Sequence, residues 1–278
     1  MTLVGVLSLK GAPGVTTFSC LLAATWPEAG SLVVVEADPA GGDLAGRFGL
    51  SSALGWSSLS SAVRRSGRAT PMAPHLQYLP GGLPVLVSGS SGDQADLTCE
   101  AADVVERESA DGLAVVDLGR RTADGGTQED WLGRCDISIL VVSGDAAAVL
   151  HARARSARLT EATGGRLGVV VIGSGARDST EVGGFTGIPA LGDVPFDPQS
   201  AAVASGASGA GRRLERSALL AAVRRVADRL ADRATAELPV PAAPSGHGPD
   251  DGRGRPASGP AGAPDDVGIG RPTEEASR

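Results

Sequence analysis

The sequence is poor in several residue types, and each shortage argues against a class of protein. Its 278 residues include only three cysteines (Cys20, Cys99 and Cys135) and three histidines. Cysteines so few and so far apart argue against a disulfide framework and against a Cys/His zinc site. No apolar run approaches the roughly 20 residues that cross a bilayer, and no basic segment precedes the short apolar run at the N-terminus. We therefore expect neither a membrane span nor a secretion signal, and we expect a cytoplasmic protein.

Basic side chains are fewer than acidic ones, 25 against 32, and the formal net charge is −7. That balance argues against a surface built throughout to coat DNA. The basic residues include a single lysine, Lys10, and the chain has no asparagine. Such a bias is typical of a GC-rich genome, and it raises the question of what an arginine could not do at position 10.

Composition divides the chain near residue 237. Residues 238–278 hold eight prolines and eight glycines with almost no large apolar side chains. A segment of this kind cannot bury enough surface to offset the entropy of ordering it. We predict a folded domain over 1–237 and a disordered Pro/Gly-rich tail over 238–278.

Within residues 1–237, short β-branched runs alternate with helical stretches. Most of the runs are continuously apolar, as expected of parallel strands covered on both faces. The alternation predicts an α/β fold: a doubly wound, mostly parallel sheet with helices on both faces. The predicted strands are Leu3–Leu9, Leu32–Glu36, Pro84–Val87, Leu113–Asp117, Ile137–Val142 and Val169–Ile172, with weaker ones at His75–Leu79 and Ile188–Leu191. The predicted helices are Thr16–Trp26, Ser57–Arg65, Asp96–Ser109, Ala146–Thr163, Gln199–Ser205 and Leu214–Leu238.

The loop after the first strand has the composition of a phosphate-binding turn. Its glycines, Gly11 and Gly14, allow backbone N–H groups to converge on an anion, and the following helix adds its unpaired N-terminal donors. Thr16 and Thr17 place hydroxyls where a magnesium ion and a phosphate oxygen would lie. The motif GxxxxGK[ST] is incomplete, because Val15 stands where the lysine should follow the last glycine.

This loop and three later segments resemble the ParA/MinD family of P-loop ATPases. KGAPGVTT (10–17) resembles the deviant Walker A motif KGGxGKTT, and VVVEADPAGGDL (33–44) is similar to the family's DxDPQGN segment. LAVVDLG (113–119) resembles the Walker B strand, and LGDVPFDPQSAAVASG (191–206) resembles the last strand with its adenine-side loop. The resemblance covers residues 1 to about 235, with the four motifs in order.

The resemblance implies a protein that binds ATP and Mg²⁺. It assigns catalytic roles to Lys10 at the phosphates, to Asp38 on the side of the attacking water, and to Asp117 near the metal. The implied metal ligands are Thr16, Asp38 and Asp117. The implied nucleotide-binding residues are Lys10, Gly11, Ala12, Pro13, Gly14, Val15, Thr16, Thr17, Pro195 and Asp197.

The implied partners follow from the same resemblance. Lys10 could contact phosphate in its own subunit or across a dimer, so we expect a homodimer with ATP. Protein partners from a pilus or secretion system, or from a partition system, are expected in addition. A partner could recruit the protein to the inner face of the membrane, whereas a Pro/Gly-rich C-terminus argues against direct membrane insertion.

Two departures from the family pattern bear on activity. Val15 cannot supply the charge of the second lysine, so we expect ATP hydrolysis to be slow or absent. Gly173 stands where the family often places an adenine-reading asparagine, so base selectivity is either weak or comes from backbone groups at 195–197. Arg120 and Arg121, just after the Walker B acid, are candidates to compensate for the lost lysine.

Several functions remain open at this stage. The form VVDLG and the degenerate loop favour the TadZ/CpaE-like branch of pilus assembly, with chromosome partitioning and septum placement as alternatives. A scaffold that binds no nucleotide is an alternative of another class. Non-specific DNA binding is not favoured, because acids are interspersed among the arginines of the helices. Those arginines lie at positions 153, 155, 158, 212, 213, 216, 224, 225, 229 and 233.

Each site residue also has a plainer interpretation. The glycine loop could be a strand–helix turn that binds nothing. It could also be a dinucleotide-binding turn with Glu36 on the ribose, although GxGxxG is not present. Asp117 could cap a loop, and Asp38 could be the acid of an Asp-Pro turn. For Asp43, Asp193 and Asp197, a turn role is favoured over a ligand role.

Overall fold

A computed structural model of the protein describes residues 2–10, 14–27, 30–67, 69–89, 95–121, 126–173, 175–207 and 211–235. The chain divides into two units, residues 1–238 and 239–278. The fold described below belongs to the first unit. The predicted tail, 238–278, lies outside the described residues, so its disorder stays a prediction.

The fold is built on one eight-stranded sheet with the order β3-β4-β2-β5-β1-β6-β7-β8. Every neighbouring pair is parallel except β3 and β4, which form an antiparallel pair at one edge. The strands are β1 Thr2–Ser8, β2 Ser31–Glu36, β3 Gln77–Tyr78, β4 Pro84–Leu86, β5 Gly112–Arg120, β6 Ile137–Ser143, β7 Leu167–Ile172 and β8 Ala190–Val194. The predicted fold class, a doubly wound and mostly parallel sheet, is confirmed.

Helices cover both faces of this sheet. They are α1 Val15–Ala24, α2 Leu44–Phe48, α3 Trp56–Ser66, α4 Ala95–Glu100, α5 Ala102–Glu108, α6 Thr127–Arg134, α7 Ala146–Ala162, α8 Ser179–Thr186, α9 Pro198–Ala204, α10 Gly211–Glu215 and α11 Ala218–Thr235. Within the described ranges, none of them is both long and apolar enough to cross a bilayer.

Alternate residues of each central strand pack into separate cores. On β5, Val116 and Leu118 face one core, and Leu113 and Val115 face the other. This alternation is the period of two of a β-strand. Because both faces are covered, the strand reads as a continuous apolar run in the sequence.

The two cores recruit different helices. One contains Trp56 of α3 and Trp131 of α6, whose rings meet edge to face with centroids 6.2 Å apart. The other contains Phe18 of α1 and Val226 of α11. The helix α1 that follows the first strand is therefore anchored against the sheet from its first turn.

Four short helices, α2, α6, α8 and α10, are not predicted by the sequence as separate elements. The helix predicted over Asp96–Ser109 is interrupted at Ala101, where φ is −114° and ψ is 10°. The helix predicted from Leu214 begins only at Ala218. Its start is set by Ser217, whose hydroxyl oxygen accepts the backbone N–H of Leu220 at 3.1 Å, as an N-cap does.

The parallel strands end at a common edge of the sheet, and the register there brings polar residues side by side. Glu36 on β2 lies opposite Asp117 on β5, and Ser8 on β1 lies opposite Arg120 on β5. In open α/β sheets, ligands bind outside the carboxyl ends of the strands. This edge is therefore where a functional site is expected.

Candidate functional site

Helix α1, the first element after β1 in the chain, begins at the carboxyl edge of the sheet. Gly14 precedes it with φ 85° and ψ 37°, a left-handed conformation that favours glycine. The first helical hydrogen bond runs from the N–H of Phe18 to the carbonyl of Gly14 at 2.8 Å. Among the described residues, no side chain caps this helix. The backbone N–H groups at its start are thus available to an anion.

The predicted phosphate loop is described only in part. Gly11, Ala12 and Pro13 lie outside the described residues, and their assignment stays a prediction. Lys10 and Gly14, on either side of them, are described. Val15 is only 7% exposed, and its side chain belongs to the core under α1. At position 15 the chain therefore offers a backbone donor and no side-chain charge.

Asp117 is one of two buried acids of the site, with an exposed fraction of 2%, the same as that of Glu36. Its carboxylate accepts the hydroxyl of Thr16 and the backbone N–H of Gly119, the latter at 3.0 Å. Burial raises the pKa of Asp117 to about 7, the nearby Glu36 and Asp38 add to the rise, and the two donors oppose it. The structure thus brings together Thr16 and Asp117, two of the three residues assigned to the metal.

Asp38, the third of these residues, lies at the same edge on the β2 side. Its carboxylate accepts the backbone N–H of Ala40 at 2.8 Å and the backbone N–H of Arg120. Burial raises the pKa of Asp38, and Asp43 contributes to the rise, while the two N–H donors and the Arg120 guanidinium lower it. Asp38 therefore faces the end of β5 rather than serving only its own turn.

Glu36 is a third acid at this edge, and the sequence suggested it only as a ribose ligand. It is buried, and its carboxylate accepts backbone N–H groups of Asp43 and Leu44 at 2.8 Å each and of Ser88 at 3.0 Å. Burial raises the pKa of Glu36. Three donors occupy this carboxylate, so it fixes the loop that carries Asp38 and does not fit the ribose role.

Lys10 is exposed at the start of the predicted phosphate loop. Its Nζ lies 3.3 Å from Nε2 of His151, which is on α7. No sequence pattern indicates this contact, because 141 residues separate the two positions. The single lysine of the chain is thus held beside α7 in this structure.

The two arginines after Asp117 have different surroundings. Arg121 is 2% exposed, and its Nη2 donates to Oε2 of Glu129 at 2.6 Å. Its backbone N–H donates to the carbonyl of Ser8 at 2.8 Å, so Arg121 stabilises the join between β5 and β1. Arg120 is exposed and stands next to Asp38. Of the two candidates for the missing charge, only Arg120 presents its side chain to the site.

A cavity of about 480 Å³ opens beside α1 at the ends of β6, β7 and β8. Pro195 and Phe196, which is 66% exposed, form part of its wall. Gly173 also lines it, with φ 121° and no atom within 4 Å of where a Cβ would lie. The lining is mostly apolar, as is usual where a planar ring binds.

Two hydrogen-bonded pairs include residues that line this cavity. The carboxylate of Asp197 accepts the N–H of Ser200 at 3.0 Å and its hydroxyl at 2.6 Å, which caps α9. The hydroxyls of Thr17 and Ser205 lie 3.0 Å apart. Asp197 therefore lies at the predicted adenine side, but its carboxylate is engaged by its own helix.

Three of the other residues singled out in the sequence, Asp43, Asp193 and Arg229, make local structural contacts. Asp43 pairs with Arg47 at 2.6 Å along α2, and Asp193 accepts both the N–H and the hydroxyl of Ser179 at 2.7 Å. Arg229 on α11 donates to the carbonyl of Leu191 at 2.6 Å. Other arginines of α10 line an open cavity of about 600 Å³.

These groups fit a magnesium nucleotide. The uncapped start of α1 offers backbone donors to phosphate, and Thr16 beside the buried Asp117 offers the oxygen ligands that Mg²⁺ prefers. The cavity next to α1 has room for a base. Together the fold and the described residues define an α/β protein whose candidate site lies at the carboxyl edge of the sheet, at the start of α1.

Known structures share this fold. The ParA family ATPase of Chlorobium tepidum superposes with a TM-score of 0.66 and 16% identity over 82% of this chain and 98% of that one. The MinD cell division protein of Aquifex aeolicus gives 0.65 and 15%, over 84% and 97%. MinD of Pyrococcus horikoshii, solved with Mg-ADP, gives 0.62 and 14%, over 84% and 97%. The fold is that of the ParA/MinD P-loop ATPases.

The comparisons of sequence give nothing further. The chain matches no protein-family model and no curated protein. At 14–16% identity the structural likeness establishes the architecture, and function has to be argued from the residues of the site.

Proposed function

We propose that the protein binds ATP and Mg²⁺ at the carboxyl edge of its sheet and acts as a nucleotide-dependent positioning protein. One observation carries this proposal: the uncapped start of α1 adjoins the Thr16–Asp117 pair, and a cavity of base size lies on the other side of the same helix. A turn that served only to join strand and helix would require neither the buried carboxylate nor the cavity.

Each described residue has a defined part in this proposal. Backbone N–H groups at the start of α1 bind phosphate, and the hydroxyl of Thr16 holds the metal. Asp117 would orient the metal through water, and Asp38 would position the attacking water. When bound, the metal would neutralise part of the negative charge of the phosphates. Lys10 contacts phosphate in its own subunit or in a partner subunit.

Hydrolysis is expected to be slow or absent. The second lysine of the phosphate loop would stabilise charge on the β- and γ-phosphates, and Val15 is instead buried in the core. The backbone N–H donors and the metal would still contribute binding energy for ATP. The cycle would then be governed by ATP-dependent association rather than by rapid turnover, and turnover at the rate of ordinary P-loop ATPases would contradict this.

Dimerisation and partner binding belong to the same proposal. Support comes from proteins of this fold: MinD of Aquifex aeolicus has been solved in a complex with MinC. We propose that ATP promotes a homodimer of this chain, which places pilus or secretion machinery, with partition or septum placement as the alternative. The protein would work in the cytoplasm, where a partner recruits it to the inner membrane face.

A nucleotide-free scaffold is the competing proposal, and ligand-induced stabilisation separates the two. If ATP·Mg²⁺ binds, a concentration of 100 times Kd stabilises the folded state by about 2.7 kcal/mol. A scaffold gives no shift. The matched control is Asp117→Ala, which removes the metal-side carboxylate, and an equal shift in that variant would also contradict the proposed site.

DNA binding is an alternative function, and variants of the arginines on α11 can test it. Arg224 and Arg225 are exposed on that helix, next to the acid Asp228. Non-specific binding would weaken steeply with salt and would be abolished by changing both arginines to glutamate. Absence of duplex binding at low salt removes this alternative and leaves the positioning role.

A further inference from the structure

If the proposed function holds, the order of the strands determines the direction in which the bound nucleotide runs across the sheet, from its base to its terminal phosphate. The base-sized cavity lies at the ends of β6, β7 and β8, and α1 starts behind β1. The next strand on the far side of β1 is β5, followed by β2. Adjacent strands are about 4.8 Å apart. A triphosphate that starts at the cavity and crosses the head of α1 therefore ends over β5 and β2.

Arg120 is the last residue of β5, at the point this direction reaches. The strand register places it opposite Ser8, the residue with which β1 ends. The bond from the N–H of Arg121 to the carbonyl of Ser8, 2.8 Å long, fixes the backbone there. The backbone N–H of Arg120 itself donates to Asp38. Arg120 is thus held between the start of the phosphate loop and the acid on the water side.

The charges around this point create a need for a cation. Glu36, Asp38 and Asp117 all lie at this edge, and Asp117 interacts electrostatically with each of the other two. A triphosphate brought beside three acids is repelled unless positive charge accompanies it. Magnesium would meet part of this need, and in a complete phosphate loop a lysine at position 15 would meet more.

Two other arginines near the site are already paired with acids: Arg121 with Glu129, and Arg47 with Asp43. Lys10 lies against His151, and in the proposed function it contacts phosphate together with Arg120. Arg120 is exposed, and within the described part of the chain no ion pair holds its guanidinium. Its electrostatic interaction is with Asp38, at the site itself, so the side chain can turn to a ligand without breaking an ion pair elsewhere in the fold.

We infer that the guanidinium of Arg120 binds the terminal phosphate of the bound nucleoside triphosphate and supplies the charge that Val15 does not. An arginine fork donates two parallel hydrogen bonds to phosphate oxygens. Because the arginine follows the Walker B strand rather than the glycine loop, it contacts the last phosphate and leaves the first two to α1. Arg120 therefore distinguishes ATP from ADP.

The test compares the affinities for ATP·Mg²⁺ and ADP·Mg²⁺ by calorimetry in four proteins: wild type, Arg120→Ala, Arg120→Lys and the control Arg65→Ala. Arg65 is an exposed arginine in the last turn of α3, where it interacts with His75. Arg120→Ala should weaken ATP binding by about 10- to 100-fold, the usual effect of losing a charged hydrogen-bond pair, and leave ADP binding within about threefold. Arg120→Lys should restore part of the loss, and Arg65→Ala should change neither affinity.

The outcomes separate this inference from the proposed function. If wild type binds neither nucleotide, the proposed function fails and the role of Arg120 fails with it. If wild type binds both and Arg120→Ala keeps the wild-type preference for ATP over ADP, the inference is overturned and the proposed function stands. An equal loss for ATP and ADP also overturns it, because the arginine would then act on the shape of the site. Arg120→Gln, which keeps the length of the side chain, repeats the comparison should Arg120→Ala unfold.

Discussion

The Cα of Gly119 lies so close to the carboxylate of Asp38 that a methyl group on residue 119 would overlap it. Gly119 also has φ 60°, a left-handed value that side chains disfavour. The end of β5 and the loop after β2 are therefore in direct contact through one glycine. The position of Asp38 depends on the absence of a side chain at 119.

Gly119→Ala is accordingly expected to lower the free energy of unfolding and to displace Asp38. The positive φ alone costs about 1 kcal/mol, and the overlap with a carboxylate adds about 1–3 kcal/mol. Chemical denaturation measures the sum. Gly49→Ala is the matched control, because Gly49 has φ 65° in the left-handed region but nothing within 4 Å of the place that a methyl group would take. Equal losses in the two variants would contradict the contact.

Asp117 predicts a pH dependence of stability whose direction follows from its burial. Its folded pKa is raised from 3.8 to about 7, so between these values the folded state binds more protons than the unfolded state. Stability is then highest below pH 4 for this group and falls as pH rises towards 7, by up to about 1.4 kcal/mol per pH unit. Burial raises the pKa of Asp38 and Glu36 too, and both act in the same direction.

The variant Asp117→Asn removes this contribution. We expect urea denaturation between pH 5 and pH 8 to show a shallower fall in the free energy of unfolding than in wild type. At pH 8 the variant should be the more stable of the two, since it buries no charge. Asp193→Asn is a suitable control, because the carboxylate of Asp193 binds Ser179 away from the three acids. An unchanged slope in Asp117→Asn would show that another group carries the titration.

The same site shows how far the sequence can be interpreted by itself. The continuous apolar strands and the loop at Gly14 predict the sheet and the place of the site, because strand ends in a parallel sheet share one edge. The resemblance to the ParA/MinD family placed Thr16 and Asp117 together at the metal, which agrees with their positions at this edge. Their hydrogen bond required only that β1 and β5 be neighbours, which they are.

Other features could not be predicted, because they depend on packing between distant segments. Glu36 ends an apolar strand as a ribose ligand would, yet its three donors come from loops that only the fold brings there. Arg120 and Arg121 are identical in type and adjacent in sequence. They differ because the strand's alternation exposes one and buries the other against Glu129. The contact of Lys10 with His151 depends on the docking of α7.

Because Lys10 is the sole lysine of the chain, its acylation by an amine-reactive ester can be followed separately from that of the N-terminal amine. The side chain is exposed in the structure. If it contacts phosphate, ATP·Mg²⁺ at ten times Kd should slow its acylation about tenfold. Mass spectrometry of the Lys10 peptide measures the rate. In Asp117→Ala, which should not bind the metal nucleotide, ATP should give no protection.

His151 refines that experiment. Its Nε2 is 3.3 Å from the Lys10 ammonium. His151→Ala should leave the protection by ATP intact while changing the rate without nucleotide, because only the latter reflects the contact with α7. If ATP does not slow acylation in wild type at saturating concentration, Lys10 does not approach the phosphates in the same molecule or across a dimer.

A substitution in the cavity beside α1 should affect ATP and ADP equally, whereas a substitution of Arg120 should affect ATP alone. Ala202 lines the cavity on α9 and is exposed, so a larger side chain can enter the cavity without disturbing the core. Ala202→Trp should leave the free energy of unfolding within about 0.5 kcal/mol of wild type. It should weaken ATP and ADP binding alike, by at least about tenfold, because the base is common to both nucleotides. Ala157→Trp, at an exposed position of α7, is the control. Unchanged nucleotide affinity in Ala202→Trp would mean that the base binds elsewhere. A loss of affinity confined to ATP would mean that this cavity holds phosphate. The direction assigned to the nucleotide would then be reversed.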